Sequence, residues 1–152
     1  MPSLAHFSWL AIFICAPALA ELGDIGIHHP FATTADQNAS MGAAYLLIHN
    51  HSGHDDRMLS ASSPAARRVE IRGNSVAQDL SEGVEILAHH ELELTPDGIY
   101  LAFLDLTRPW QDGDVLTLTL VFEQAGEMTF RLPVDLDRLT EAAPHEHADH
   151  GS

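Results

Sequence analysis

Two runs of alternating apolar residues constrain the fold of this chain more than any other feature. They occupy Ile99–Leu106 and Val115–Phe122, and the connection between them contains Pro, Asp and Gly. Alternation with a period of two, bounded by such residues, is typical of β-strands joined by a turn. In residues 116–120, leucines take one face and threonines the other, as in a sheet with one buried and one solvated side. We therefore predict a hairpin at the centre of an all-β domain.

Shorter strand patterns precede and follow this predicted hairpin. Residues 41–50 form an apolar segment rich in β-formers, and residues 68–72 alternate cleanly between apolar and charged side chains. No window combines helical periodicity with proper caps, so we expect at most one helical turn. About eight short strands separated by turns predict a Greek-key β-barrel or sandwich that spans residues 21–135.

Both ends of the chain differ in composition from this domain. Residues 7–15 are apolar but too few to span a bilayer, and A-L-A at 18–20 has the small-x-small pattern of a signal-peptidase site. We expect residues 1–20 to be a signal peptide cleaved after Ala20, with export to the periplasm and no stable membrane insertion afterwards. Residues 136–152 are polar, acidic and histidine-bearing, which predicts a disordered tail.

The charge and cysteine content exclude several classes of function. The formal net charge is −15 and all seven basic residues are Arg, so the chain will attract cations but not nucleic acid or anionic lipid. Its single cysteine, Cys15, is lost with the signal, which leaves no disulfide and no thiolate ligand. No nucleophile elbow, H-E-x-x-H motif or phosphate-binding loop is present, and we predict that the protein is not an enzyme.

Eleven histidines in 152 residues are the second strong feature of the sequence. Some cluster at a strand end and its turn beside Asp55 and Asp56, where imidazole and carboxylate could bind Cu(II) or Zn(II). The alternative is a set of polar side chains on an exposed turn. Others alternate with acidic residues in the tail, a composition able to chelate a divalent ion weakly. The candidate metal ligands are His49, His51, His54, His145, His147 and His150.

Residues 29–134 resemble the periplasmic copper chaperones of the PCu(A)C family. The matching segments run in order along most of the mature chain: H-P-F-A at 29–32, G-A-A-Y-L at 42–46, D-D-R-M-L-S-A-S-S-P-A-A at 55–66, R-V-E-I at 68–71, G-V-E-I-L-A at 83–88, P-D-G-I-Y-L-A-F-L-D-L-T-R-P-W-Q-D-G-D at 96–114 and L-T-L-V-F-E-Q-A-G-E at 118–127. The resemblance implies a cupredoxin-like β-barrel that captures copper and delivers it to copper-A assembly on an oxidase.

The metal motif of that family does not carry over to this sequence. The resemblance implies a His at the end of the V-E-x-H strand, a Met beyond the next turn, and H-x-M in a later strand. The corresponding positions here hold Arg72, Gln78, Tyr100 and Ala102. Imidazole and thioether are suitable donors for Cu(I), whereas this set offers no soft donor and adds a fixed positive charge. We therefore expect no Cu(I) binding of the family's kind.

Two hypotheses of function follow from the sequence. The first is a periplasmic copper-chaperone-like protein, for copper handling or copper-A oxidase assembly, with a divergent histidine site for Cu(II) rather than Cu(I), or for zinc. Its partner would be an oxidase copper-A subunit or another copper-assembly protein. The alternative is a metal-free periplasmic interaction module that kept the fold and lost copper binding, with Arg72 and Tyr100 as contact residues.

Overall fold

The computed structural model describes residues 24–36, 38–75 and 80–141, and these residues form an all-β barrel that is nearly closed. Nine strands and one helical turn follow in chain order: β1 (Ile25–Thr34), β2 (Met41–Asn50), β3 (Asp56–Ser62), β4 (Ala66–Gly73), β5 (Val84–Ile86), β6 (Glu91–Leu94), β7 (Ile99–Leu106), β8 (Val115–Phe122), β9 (Gly126–Pro133) and α1 (Arg138–Glu141). The predicted fold class is confirmed. Strands β7 and β8 begin and end at the residues where the sequence pattern does.

The sheet has the order β1-β2-β6-β7-β4-β3-β8-β9, with β5 paired to β3 and β2 also paired to β7. A parallel bridge between Ala32 and Val134 brings the two outer strands together. Nearly all neighbouring strands are antiparallel, while β6 and β7 meet at one parallel pair. Apolar side chains that face inward fill the interior, and the fully buried ones include Ile48, Leu101, Phe103, Leu118 and Leu120. Burial of this apolar surface is the main force that holds the barrel together.

The predicted hairpin between β7 and β8 is wrong, although both strands exist. Strand β7 pairs with β2 and β4, and β8 pairs with β3 and β9, so two strands separate them. The hairpin partner of β8 is β9, in register from Val115↔Pro133 to Phe122↔Gly126. Periodicity identifies a strand but not its neighbour. The connection of residues 107–114 is long enough to cross three strand spacings of about 4.8 Å each.

Trp110 fixes this crossing connection at one end of the barrel. Its side chain is 2% exposed, and its indole ring meets Phe103 edge to face, with the ring centroids 5.1 Å apart. A side chain at Gly42 would collide with the indole ring, so this glycine gives the ring its space. The middle of the connection is therefore packed into the barrel.

An ion pair braces the same connection at its ends. Arg108 donates to the carboxylate of Asp114 at 2.8 Å. This hydrogen bond, together with one from the backbone N–H of Gln111, holds the pKa of Asp114 below its usual value. The carboxylate thus stays ionised and keeps its two donors at the turn before β8.

A β-bulge in β1 sets which side chains face outward. Between His28↔Leu47 and Phe31↔Tyr45, β1 advances three residues while β2 advances two. His29, within this bulge, has a φ of 50°, a left-handed conformation that is uncommon outside glycine. Because of the extra residue, His28 and Phe31 both lie on the outer face of the barrel. That outer face of β1, β2, β6 and β7 carries the candidate metal centre.

The chain makes specific contacts beyond the predicted domain end at residue 135. The helical turn α1 lies against the outer face, where the guanidinium carbon of Arg138 is 4.2 Å from the centroid of the Phe31 ring. The backbone N–H of Leu136 also donates to Asp112. Residues 1–20 and 142–152, which hold the predicted signal and most of the predicted tail, lie outside the described residues. In the described part, no helix is long and apolar enough to cross a membrane.

Candidate metal centre

The positions that correspond to the family's copper ligands hold no soft donor among the described residues. Arg72 on β4 lies directly opposite Tyr100 on β7. The guanidinium of Arg72 donates from Nε and Nη2 to one oxygen of Glu70, at 3.2 and 2.9 Å. Ala102 is 1% exposed and offers only a methyl group. Gln78, the fourth position, lies outside the described residues. A cation, a phenol and a methyl group do not suit Cu(I).

Tyr100 belongs instead to an aromatic row on the outer face. Its ring centroid is 6.4 Å from that of Tyr45, which in turn lies 5.3 Å from Phe31. Burial raises the pKa of the Tyr45 phenol, and the nearby Tyr100 and Asp97 raise it further. The row packs side by side and supplies no imidazole or thioether for a metal ion.

Three histidines converge at the other end of the same outer face. One potential ligand nitrogen from each of His28, His49 and His51 lies within 4.8 Å of the other two. The rings of His49 and His51 stack with centroids 3.9 Å apart. His28 and His51 both bring Nε2 over Gly26. His28 and His51 are exposed and His49 is half-buried, so an ion bound here would be open to solvent. We refer to these three residues as the histidine cluster.

The pairing of β1 with β2 brings the histidine cluster together. His28 faces outward before the β1 bulge, and Gly26 two residues earlier pairs with His49 on β2. His51 lies just past the end of β2, where its backbone N–H donates to the carbonyl of Asp24 at 2.7 Å. This bond ties the start of the turn to the start of β1, which places the His51 ring above Gly26.

Asn50 anchors the turn that follows the cluster. Its side chain is fully buried and donates to the carbonyls of His54 and Ile86, at 2.8 and 3.0 Å. Its oxygen accepts from the backbone N–H and the hydroxyl of Ser52. Because every polar atom of this buried amide is hydrogen-bonded, the turn is held in one conformation against the barrel. His51 is therefore presented from an ordered segment.

Glu91 on β6 supports the cluster from one side. It pairs with His49 in the sheet register, and its Oε1 is 3.4 Å from Nδ1 of His49. A carboxylate beside Nδ1 could accept its proton when Nε2 binds an ion, which is the usual arrangement around metal-bound histidines. The pair is partly exposed to solvent, with side-chain exposures of 29% for His49 and 53% for Glu91.

The structure brings some of the predicted ligands together and separates others. His49 and His51 meet, and they are joined by His28, which the sequence patterns did not single out. His54 is exposed and is not a member of the cluster. The three tail histidines lie outside the described residues, so their predicted role stays a prediction; they are His145, His147 and His150.

The two carboxylates of the turn have structural partners of their own. Asp55 accepts from the backbone N–H of Ala88 at 2.8 Å. Asp56 is buried in the barrel wall and accepts from three backbone N–H groups, those of Arg57, Gln124 and Ala125. These bonds join the start of β3 to the β8–β9 turn. The oxygens of Asp56 are therefore occupied in holding two segments together rather than facing the histidine cluster.

The cluster and the family's ligand positions lie apart on the outer face. Ala44 on β2 pairs with Leu101, so Tyr45 is level with Tyr100. His49 is four residues further along β2, which corresponds to about 13 Å at the rise of a strand. An all-imidazole donor set with a supporting carboxylate is suited to Cu(II) or Zn(II). The described residues therefore provide nitrogen donors for a metal ion at the cluster, and the described family positions provide no soft donor.

The fold of this chain is similar to that of several solved structures. A copper-bound PCuAC domain from PmoF2 is similar over 75% of this chain and 94% of that domain, with 24% identity and a TM-score of 0.66. An apo PCuAC domain from PmoF1 is similar over 75% of this chain and 95% of that domain, with 26% identity and a TM-score of 0.66. The Cu(I)-bound protein DR1885 from Deinococcus radiodurans shares 21% identity over 74% of this chain and 80% of its own, with a TM-score of 0.57.

Comparison at the level of sequence assigns the family. No curated protein matches the sequence. The profile of the LpqE-like family, described as putative lipoprotein LpqE-like, matches residues 25–134, which include every strand of the barrel. The resemblance to PCu(A)C domains that the sequence indicates is confirmed by the shared cupredoxin-like fold. The chain belongs to the LpqE-like family.

Proposed function

We propose that this protein is an exported, copper-chaperone-like metal carrier whose cargo is a divalent ion, Cu(II) or Zn(II), bound by the histidine cluster. The observation that carries the proposal is the convergence of His28, His49 and His51, whose ligand nitrogens lie within 4.8 Å of one another. The fold that the chain shares with a copper-bound PCuAC domain supports copper as the cargo. The imidazole donors favour Cu(II) over Cu(I).

The setting of the cluster is suited to carrying an ion rather than to catalysis. Two of its three imidazoles are exposed, so a ligand from a partner protein can approach and replace them one at a time. A formal net charge of −15 attracts cations to the surface of the protein. The partner in this proposal is an oxidase copper-A subunit or another copper-assembly protein in the periplasm.

The alternative function is a metal-free interaction module. The ion pair between Arg72 and Glu70 supports it, because this pair occupies part of the region where the family would bind copper. In this alternative, Arg72 and Tyr100 contact a partner protein and the histidines are surface polar residues. The two functions differ in one direct observable, which is tight binding of a divalent ion.

The test is a calorimetric titration of the chain from Glu21 onward with Cu(II), with Zn(II) and, under reducing conditions, with Cu(I). We expect submicromolar binding of Cu(II) and much weaker binding of Cu(I). His28→Ala should weaken Cu(II) binding strongly, because it removes one of the three ligands. His54→Ala is the matched control, since His54 is an exposed histidine of the neighbouring turn that lies outside the cluster, and it should leave Cu(II) binding unchanged.

Three results of this titration would count against the proposal. Tight binding of Cu(I) would contradict the proposed cargo. Equal Cu(II) affinities of the His28→Ala and His54→Ala variants would contradict the proposed site. No binding of any of the three ions would favour the metal-free module.

The tail histidines stay part of the proposal as additional ligands. A chain that ends at Ala143 lacks His145, His147 and His150 but keeps the barrel and α1. If the tail contributes weak chelation only, this truncation should lower the number of Cu(II) ions bound at saturation while the tightest site keeps its affinity. Loss of the tightest site on truncation would assign that site to the tail.

A further inference from the structure

Gly26 lies beneath the histidine cluster, at a position where glycine is unfavourable for the strand. It is the second residue of β1 and pairs with His49 of β2. Glycine within a strand loses more backbone entropy on folding than other residues and contributes no side chain to packing. Its φ is not in the left-handed region, so the backbone there does not require glycine. A different reason is needed for the missing side chain.

The space above Gly26 is filled by two imidazoles of the cluster. A Cβ atom built at this position would lie 2.9 Å from Nε2 of His28 and 2.9 Å from Nε2 of His51. Ordinary contacts to a Cβ are 3.4 Å or longer, so each nitrogen would have to withdraw by about half an ångström. Both contacts are with the far ends of flexible side chains, which can move without disturbing the barrel.

Metal binding requires ligand nitrogens of the cluster to lie close together above Gly26. In a tetrahedral site with metal–nitrogen bonds of about 2.0 Å, two ligand nitrogens lie about 3.3 Å apart. The cluster nitrogens lie within 4.8 Å of one another, so rotation of the rings can bring them to this spacing. A methyl group at residue 26 would occupy the surface over which they converge.

We propose that Gly26 is a positioning residue of the cluster, because the missing side chain lets His28 and His51 share one divalent ion with His49. This inference rests on the proposed function. With a side chain at residue 26, the cluster becomes separate imidazoles that bind Cu(II) or Zn(II) weakly. The effect of such a side chain is confined to the outer face of the barrel, and the fold stays unchanged.

The test compares Gly26→Ala with Gly53→Ala in the purified protein. Gly53 lies in the turn after the cluster, and a Cβ there would meet nothing within 4 Å, which makes it a matched control. We expect Gly26→Ala to lower Cu(II) affinity by about tenfold or more, a loss typical of disturbed ligand positioning. Its urea midpoint should be equal to or above that of the wild type, because alanine is the better strand residue. Gly53→Ala should bind Cu(II) as the wild type does.

A double-mutant cycle with His28→Ala separates positioning from a general effect on the strand. Once the His28 ring is absent, Gly26→Ala should cost much less affinity, because one of the two crowded nitrogens is gone. Equal losses in both backgrounds would overturn the inference, as would wild-type affinity in Gly26→Ala or a fall in its urea midpoint. If the wild type itself binds no divalent ion, the proposed function fails first. If the wild type binds Cu(II) and Gly26→Ala binds it equally well, the proposed function stands and this inference fails.

Discussion

Replacing Glu91 by glutamine tests how the cluster is supported. The change keeps the size of the side chain and an oxygen that can accept from Nδ1–H of His49, but removes the negative charge. Loss of an outer-shell partner of a metal-bound histidine typically lowers metal affinity by 10- to 100-fold. The contact here is 3.4 Å long and the carboxylate is half exposed, so we expect the lower end, about tenfold or about 1.4 kcal/mol.

The matched control for this change is Glu93→Gln. Glu93 is on the same strand and the same outer face, but it pairs with Leu47 instead of His49. Both variants remove one negative charge near the cluster. Calorimetric titration with Cu(II) therefore separates the effect of the contact with His49 from the effect of the charge alone. We expect a loss of affinity for Glu91→Gln and little change for Glu93→Gln. Equal losses in the two variants would refute the assigned role of Glu91.

Two further predictions concern the barrel itself. Asp56→Ala should lower the free energy of unfolding by about 3 kcal/mol, because three backbone N–H groups lose a charged acceptor; urea denaturation measures this, and an unchanged midpoint would contradict it. Tyr45 should ionise late in an ultraviolet titration, because burial and its neighbours raise its pKa above the usual value of about 10. The folded state then keeps a proton that the unfolded chain releases, so this contribution to stability is present below pH ~10 and is lost as pH rises through the folded pKa. In this titration, Tyr45→Phe should remove the absorbance step at the higher pH. Removal of the step at the lower pH instead would contradict the assignment.

The strands could be predicted from the sequence because their burial is periodic. Strand β2 occupies residues 41–50, as its apolar pattern indicates. The pairing of β7 with β4 could not be deduced from periodicity, because alternation fixes which side chains face inward and leaves the neighbour open. The position of Trp110 in the crossing connection stabilises this topology, and its burial depends on contacts with the distant Gly42 and Phe103.

The candidate site was only partly predictable. The spacing of His49 and His51 indicates a common face, but His28 enters through the pairing of β1 with β2. A signal for it exists in the sequence, since a hairpin folded about residues 35–40 places the start of β1 beside the end of β2. The bulge at His29 and the small size of Gly26 then determine the final geometry. The separation of Asp56 from the cluster depends on backbone donors of a distant turn, which no local pattern reveals.

The central claim is that the metal site lies at the histidine cluster and not at the position used by the PCu(A)C family. An anomalous difference map at the copper edge, from crystals grown with one equivalent of Cu(II), tests it most directly. We expect a single strong peak within about 2 Å of nitrogens from His28, His49 and His51. A peak beside Arg72 and Tyr100, or no peak on the barrel, would contradict the claim.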